Sequence, residues 1–142
     1  MHKIALAESD EEILNCFSVM SELRPHLAAE DFLPRVKKLT EATGLRLAFL
    51  QAAGEVKAVA GFRISEWLAA DGKYFEIEDL VTKSGERSRG CGGELFDWLV
   101  AYAEENGCTH LRLVSKVERT DAHRFYERKG MAHVAHYFSM NL

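Results

Sequence analysis

The segment that most constrains the fold of this chain is Arg87-Ser88-Arg89-Gly90-Cys91-Gly92-Gly93, which stands between an apolar run and a strong helical pattern. Its three glycines let the backbone approach a ligand without clashes from a Cβ atom. The first amide groups of a helix have no partners within it, and the helix dipole favours negative charge there. With the arginines beside them, these features predict a cradle for a pyrophosphate group. Taken alone, the segment fits a tight strand-to-helix turn with solvated arginines equally well.

The flanking sequence predicts alternating strands and helices. Ser9 has capping-box spacing to Glu12 and opens a helix that Pro25 interrupts, and Gly44 ends the next helix. Further helices are predicted over 29–43, 90–106 and 121–129, and strands over 3–7, 45–52, 55–65, 74–82, 111–115 and 132–140. Hairpins with one central β-α-β crossover predict an α/β fold with a mixed, mostly antiparallel sheet covered by helices.

Length and composition limit the classes of protein that are compatible with the chain. Its 142 residues suit one domain, spanning 1–142, and 47% hydrophobic with 28% charged residues is typical of a globular protein. We expect a cytoplasmic protein, because the sequence shows no secretion signal and no apolar run long enough to span a membrane. A net charge of −4 argues against a nucleic-acid partner. The three cysteines are predicted to be reduced, with Cys16 and Cys108 small and buried.

Two familiar nucleotide motifs do not fit the glycine-rich segment, because no Walker lysine follows it and Leu95 occupies the third glycine position of Gly-x-Gly-x-x-Gly. The segment instead resembles the acetyl-CoA signature of the GNAT (Gcn5-related N-acetyltransferase) superfamily, with Arg87, Gly90 and Gly92 in register. The run Ile77-Glu78-Asp79-Leu80-Val81-Thr82 is similar to the family's fourth strand. The run from Ala122 to Met131 is similar to its second signature. Ser84 and Arg119 depart from the family's usual Pro and Asn.

The resemblance implies a GNAT fold with splayed central parallel strands and an N-acetyltransferase that uses acetyl-CoA as co-substrate, without a metal. It implies cofactor contacts from three segments, namely Leu80, Val81 and Thr82; Arg87, Ser88, Arg89, Gly90, Cys91, Gly92 and Gly93; and Arg119, His123, Phe125 and Tyr126. The acceptor implied is the primary amine of a small molecule or a peptide, and a homodimer is compatible with the resemblance. The alternative is a non-catalytic acyl-CoA-binding regulatory module.

Acetyl transfer to an amine needs a proton donor for the thiolate and an acceptor for the amine's proton. Tyr126 occupies the family's acid position. Glu76 and Glu78 are candidate bases, of which Glu76 is favoured, and they share one face of the fourth strand if it has no bulge. Asp79 would then face the other side. These carboxylates favour a cationic acceptor, and each is equally compatible with an ordinary solvated or paired carboxylate.

Other residues carry weaker expectations. The segments 24–32 and 66–73 are expected to shape the acceptor pocket, which Phe62, Trp67 and Phe75 line unless they serve only the core. His133 and His136 would face opposite sides of a last strand, which argues against a metal site. Cys91, beside the first amides of a helix, is expected to have a lowered pKa.

Overall fold

The structure, a computed structural model, describes residues 2–86 and 89–142. It divides into two compact units, one reaching Arg112 and one comprising residues 113–142. No helix within the described ranges is both long and apolar enough to cross a membrane.

The described residues form five strands and five helices. The strands are β1 (His2–Leu6), β2 (Arg46–Ala52), β3 (Glu55–Glu66), β4 (Lys73–Thr82) and β5 (Cys108–Leu113). The helices are α1 (Asp10–Asn15), α2 (Phe17–Leu23), α3 (Ala29–Thr43), α4 (Cys91–Glu105) and α5 (Thr120–Arg128). The predicted mixture of antiparallel hairpins with one β-α-β crossover is confirmed.

The five strands form one sheet in the order β1-β2-β3-β4-β5, and the first four are antiparallel neighbours. The edge strand β5 runs parallel to β4. This direction follows from two contacts, Tyr74 on His110 and Glu76 with Arg112, whose residues are separated by the same number of positions in the chain. By that offset Arg112, the last residue of β5 in the first unit, lies opposite Glu76. The final residues of β4 (78–82) therefore extend beyond Arg112.

The two faces of the sheet in the first unit are covered by different helices. On one face Val59 and Val81 join a buried cluster with α1, α2 and α3. On the other face Phe62 and Phe75, which are completely or almost completely buried, meet Tyr102 of α4 with ring centroids 5.6 and 6.3 Å apart. Burial on both faces explains why β3 is apolar along most of its length.

Local sequence signals set several boundaries as expected. The Ser9 hydroxyl accepts from the Glu12 amide while the Glu12 carboxylate accepts from the Ser9 amide, which completes the predicted capping box. Gly44 ends α3 in a left-handed conformation with φ 77°. The helix opened by Ser9 is divided at Cys16 into α1 and α2, which the apolar periodicity did not predict.

Two predictions about the second half of the chain were wrong. β5 begins at Cys108 and ends at Leu113, not over 111–115. The predicted strand over 132–140 is absent from the described residues, and Val134, Tyr137, Phe138 and Met140 are exposed. A segment becomes a strand only where a neighbouring strand receives its backbone hydrogen bonds. Because residues 132–140 do not form a strand, His133 and His136 do not face opposite sides as expected, and their rings lie 5.6 Å apart.

Candidate active site

The N-terminus of α4 lies beside the end of β4. Gly90 precedes α4 in a left-handed conformation with φ 82°, which glycine adopts without strain. A Cβ atom on Gly92 would lie 2.9 Å from the Thr82 hydroxyl, so the absence of a side chain at Gly92 permits this close approach. No side chain caps the helix at Gly90, so its first amides remain suited to an anionic ligand.

Two polar contacts fix the loop between β4 and α4 to other parts of the first unit. The Ser84 amide donates to the Glu22 carboxylate at 2.9 Å, and Lys57 Nζ lies 3.2 Å from Glu86 Oε1. Arg89 is exposed, with its Nε 3.9 Å from Glu86 Oε2. Arg87 and Ser88, both predicted cofactor contacts, lie outside the described residues.

The Cys91 thiol has different properties from those expected. Cys91 is buried at the start of α4, and burial raises the pKa of its thiol. The carboxylates of Glu86 and Glu94 raise this pKa further. The expected lowering by the helix N-terminus is therefore wrong, because desolvation and two nearby negative charges outweigh it. The side chain is not set up as a reactive thiolate.

A β-bulge in β4 determines where its carboxylates lie. In the pairing of the two strands, Ile77 lies opposite Phe62 and Asp79 lies opposite Gly61. Glu78 is therefore an extra residue of β4, with no residue of β3 opposite it in the backbone register. The expectation that Asp79 faces away from Glu76 assumed regular alternation and is wrong. The extra residue returns Asp79 to the face covered by α1, α2 and α3.

A cavity of about 370 Å³ lies on that face, between the sheet and helices α2 and α3. Apolar side chains such as Met20, Phe32 and Leu47 form much of its wall. Its charged or titratable lining residues are Arg24, His26, Arg35, Glu78 and Asp79. Arg24, His26, Leu27 and Phe32, all within the segment 24–32, are among the residues that line it.

Asp79 is the most enclosed carboxylate of the cavity, with 10% of its side chain exposed. Arg24 Nε donates to its Oδ1 at 2.8 Å, and Arg24 Nη2 contacts the same oxygen. Burial raises the pKa of Asp79, and the Arg24 guanidinium opposes that rise. Desolvation and the ion pair with Arg24 therefore act on the pKa of this carboxyl in opposite directions.

The two predicted carboxylates have separate partners. Glu78 borders the cavity and its Oε1 lies 2.5 Å from Arg63 Nη1. Glu76 is not part of the cavity lining, and its Oε2 lies 3.1 Å from Arg112 Nε. The sheet places both on one face, but only Glu78 borders the cavity.

The aromatic residues proposed for an acceptor pocket have other environments. Phe62 and Phe75 stack in the core with centroids 4.5 Å apart. Trp67 stacks on Tyr74 at 4.7 Å, and the Arg112 guanidinium lies 4.5 Å from the Trp67 ring. None of these aromatic residues lines the cavity.

The second unit carries the remaining predicted residues on and beside α5. Burial raises the pKa of the Tyr126 phenol, and the charge of Arg119 opposes this. The Tyr126 and Phe125 rings lie 5.5 Å apart, and His123 Nε2 donates to the Lys116 carbonyl at 2.8 Å. A raised pKa keeps the Tyr126 phenol protonated over a wider range of pH.

Sequence reasoning missed the ion pair of Arg24 with Asp79 and the place of Asp79 in the cavity. Asp79 adjoins Glu78 in the sequence, but a bulge without glycine leaves no local signal of its position. Arg24 lies 55 positions from Asp79, and only the folded chain brings them together. Among the described residues, no cluster of His, Cys, Asp or Glu is arranged to hold a metal ion.

Known proteins resemble this chain in both sequence and fold. An uncharacterized N-acetyltransferase of Bacillus subtilis, YhdJ, is 34% identical over 123 residues, which cover 85% of this chain and 84% of the relative. The aminoalkylphosphonate N-acetyltransferase of Salmonella typhimurium is 36% identical over 55 residues, or 39% of this chain and 36% of the relative.

The fold is shared with the aminoglycoside N-acetyltransferase AAC(6')-Iy, whose structure was solved in complex with CoA. The TM-score is 0.86 at 14% identity, and the alignment covers 100% of this chain and 95% of the other. The family model of the GNAT acetyltransferases matches residues 9–131. With this match over most of its length and the extended similarity to YhdJ, the chain belongs to the acetyltransferase (GNAT) family.

Proposed function

We propose that the protein transfers an acetyl group from acetyl-CoA directly to the primary amine of a small molecule or peptide. The observation that carries the proposal is the pair of features at the end of β4. One is the glycine-rich start of α4 against Thr82, and the other is the charged cavity at Glu78 and Asp79. An anionic cofactor and an amine acceptor need these two environments.

Cofactor binding is assigned to the end of β4 and the start of α4. Amides from Gly90 to Gly93 bind the pyrophosphate with Arg89, and the sequence match adds Arg87 and Ser88. Backbone groups of Leu80, Val81 and Thr82 bind the pantetheine arm, and an amide of this segment stabilises the oxyanion of the intermediate. Arg119, His123 and Phe125 complete the proposed cofactor contacts on the strength of the second signature.

In the proposed reaction the neutral amine nitrogen attacks the acetyl carbonyl carbon and forms a tetrahedral intermediate. As the carbon–sulfur bond breaks, the thiolate takes the proton of the Tyr126 phenol. The nitrogen gives up its proton to a carboxylate, directly or through water. Glu76 and Glu78 are the proposed acceptors, and the position of Glu78 on the cavity supports it. Asp79 joins them as a candidate from its place in the same cavity.

Two similar proteins support a small amine as acceptor. One is named for aminoalkylphosphonates and the other for aminoglycosides, and both names describe N-acetyl transfer. The test is an acetyl-CoA consumption screen with amines and peptides, with products identified by mass. We expect acetylated product from at least one class. Tight binding of acetyl-CoA without transfer to any acceptor would contradict catalysis and support the regulatory module.

A further inference from the structure

The cavity beside β4 contains both signs of charge, but its carboxylates are already paired. Asp79 is bound by Arg24 through one oxygen, and Glu78 is bound by Arg63. Arg63 is held in turn by the Thr43 hydroxyl, 2.9 Å from its Nε. Neither carboxylate is therefore left as an unbalanced negative charge that would select a purely cationic acceptor.

Arg35 is the cavity cation that lacks such a partner. It lies on α3 and lines the cavity with Phe32 and Val36. Within residues 2–86 and 89–142, no carboxylate lies within ion-pairing distance of its guanidinium. A guanidinium has five donors in a planar arrangement that matches carboxylate and phosphonate oxygens. Its charge is thus available to a ligand in the cavity.

We infer that the acceptor is a small amine that also carries an anionic group, a carboxylate or a phosphonate, and that Arg35 binds this group. This inference rests on the proposed function, because it takes the cavity as the acceptor site. The amine end would lie toward Glu78 and Asp79, and the anionic end toward α3. An acceptor of this kind balances the charge of Arg35 without breaking either existing ion pair.

The first experiment compares acceptors that differ only in their distal group. At saturating acetyl-CoA, ω-amino acids from glycine to aminohexanoate are compared with amino alcohols and diamines of the same length. Aminoethylphosphonate is compared with ethanolamine. We expect the anionic member of at least one matched set to have a kcat/KM about fivefold higher or more. Equal or better use of the alcohols or diamines throughout would overturn the inference.

The second experiment removes the proposed receptor. Arg35→Gln is expected to lower kcat/KM for the preferred anionic acceptor about fivefold and to leave the matched alcohol unchanged, since an exposed charge pair contributes modestly. Lys38→Gln is the matched control, because Lys38 is exposed on the same helix but does not line the cavity. Equal losses for both acceptors in Arg35→Gln, or a raised KM for acetyl-CoA, would overturn the inference.

A failure of acetyl transfer is distinguishable from a failure of this inference. If no amine is acetylated, the proposed function fails, and calorimetric binding of the same matched compounds in the presence of CoA decides the inference. Tighter binding of the anionic compounds, lost in Arg35→Gln and kept in Lys38→Gln, supports it. Binding without that preference, or no binding of any compound, overturns it.

Discussion

At the scale of single residues, three carboxylates within four positions of β4 meet three different arginines. Glu76 pairs with Arg112 of the neighbouring strand, Glu78 with Arg63, and Asp79 with Arg24. The three ion pairs thus hold the three carboxylates in different places. Only Glu78 and Asp79 border the cavity. The sequence alone favours Glu76 as the base, and the lining of the cavity moves our expectation to Glu78.

Glu78→Gln is expected to lower kcat by about 10²-fold and to remove the acidic limb of the pH–rate profile. Glu76→Gln is expected to have a smaller effect, because Glu76 lies outside the cavity lining. Asp79→Asn completes the set. Burial raises the pKa of Asp79, which brings it toward the range in which a base acts. An acidic limb that is lost only in Asp79→Asn would identify Asp79 as the base. An unchanged profile in all three variants would show that none of them takes the proton.

Tyr126→Phe is expected to lower kcat by about 10²-fold while CoA affinity stays nearly unchanged. Because burial raises the pKa of Tyr126, its acid form persists to higher pH, and any basic limb that it causes lies above the ordinary range of tyrosine. The matched control is Tyr137→Phe, which removes a phenol that is 71% exposed. Equal losses of turnover and CoA binding in Tyr126→Phe would indicate a structural or cofactor contact.

At the scale of elements, two β-bulges redirect charged residues. In β3 the pairing skips Lys57, which reaches Glu86 in the loop before α4. In β4 it skips Glu78, which borders the cavity. Each bulge adds one residue to its strand and places a charge beside a proposed ligand site.

The packing of α4 on β4 predicts a coupling between Gly92 and Thr82. Gly92→Ala is expected to destabilise the protein, because its Cβ would lie 2.9 Å from the Thr82 hydroxyl. In the Thr82→Ala background the same substitution should cost less, with a coupling of about 1 kcal/mol in a denaturation cycle. CoA affinity should fall in both backgrounds if the new methyl group blocks the pyrophosphate. Recovery of affinity along with stability would show that Gly92 serves packing only.

Element types were predictable from the sequence where a local signal set them. Ser9 and Gly44 mark helix ends through their own side chain or conformation. The bulge at Glu78 and the absent strand over 132–140 depend on what a neighbouring strand offers, which local patterns do not carry. The sequence could therefore indicate the glycine-rich turn as a candidate site, but not the ion pair between Arg24 and Asp79, which lie far apart in the chain.

At the scale of the whole molecule, CoA is expected to raise the melting temperature, because a ligand selective for the folded state stabilises it. At a concentration of about 100 times Kd the gain is ~2.7 kcal/mol. Scanning fluorimetry checks this, with ADP as a control that lacks the pantetheine arm. We expect a smaller shift with ADP, because it would leave the contacts to β4 unmade. No shift with CoA would contradict the cofactor assignment.

The extra residue at position 78 is also expected to lower the stability of the protein while supporting its activity. Deleting Glu78 would leave Ile77 and Asp79 opposite Phe62 and Gly61, so both would keep their present faces in a regular ladder. Such a shortened chain is expected to resist denaturant better and to turn over its substrates more slowly, because it regains strand pairing and loses a cavity carboxylate. Selection for stability alone would thus favour the regular ladder, and under the proposed function the irregularity is kept for the carboxylate that it places at the cavity.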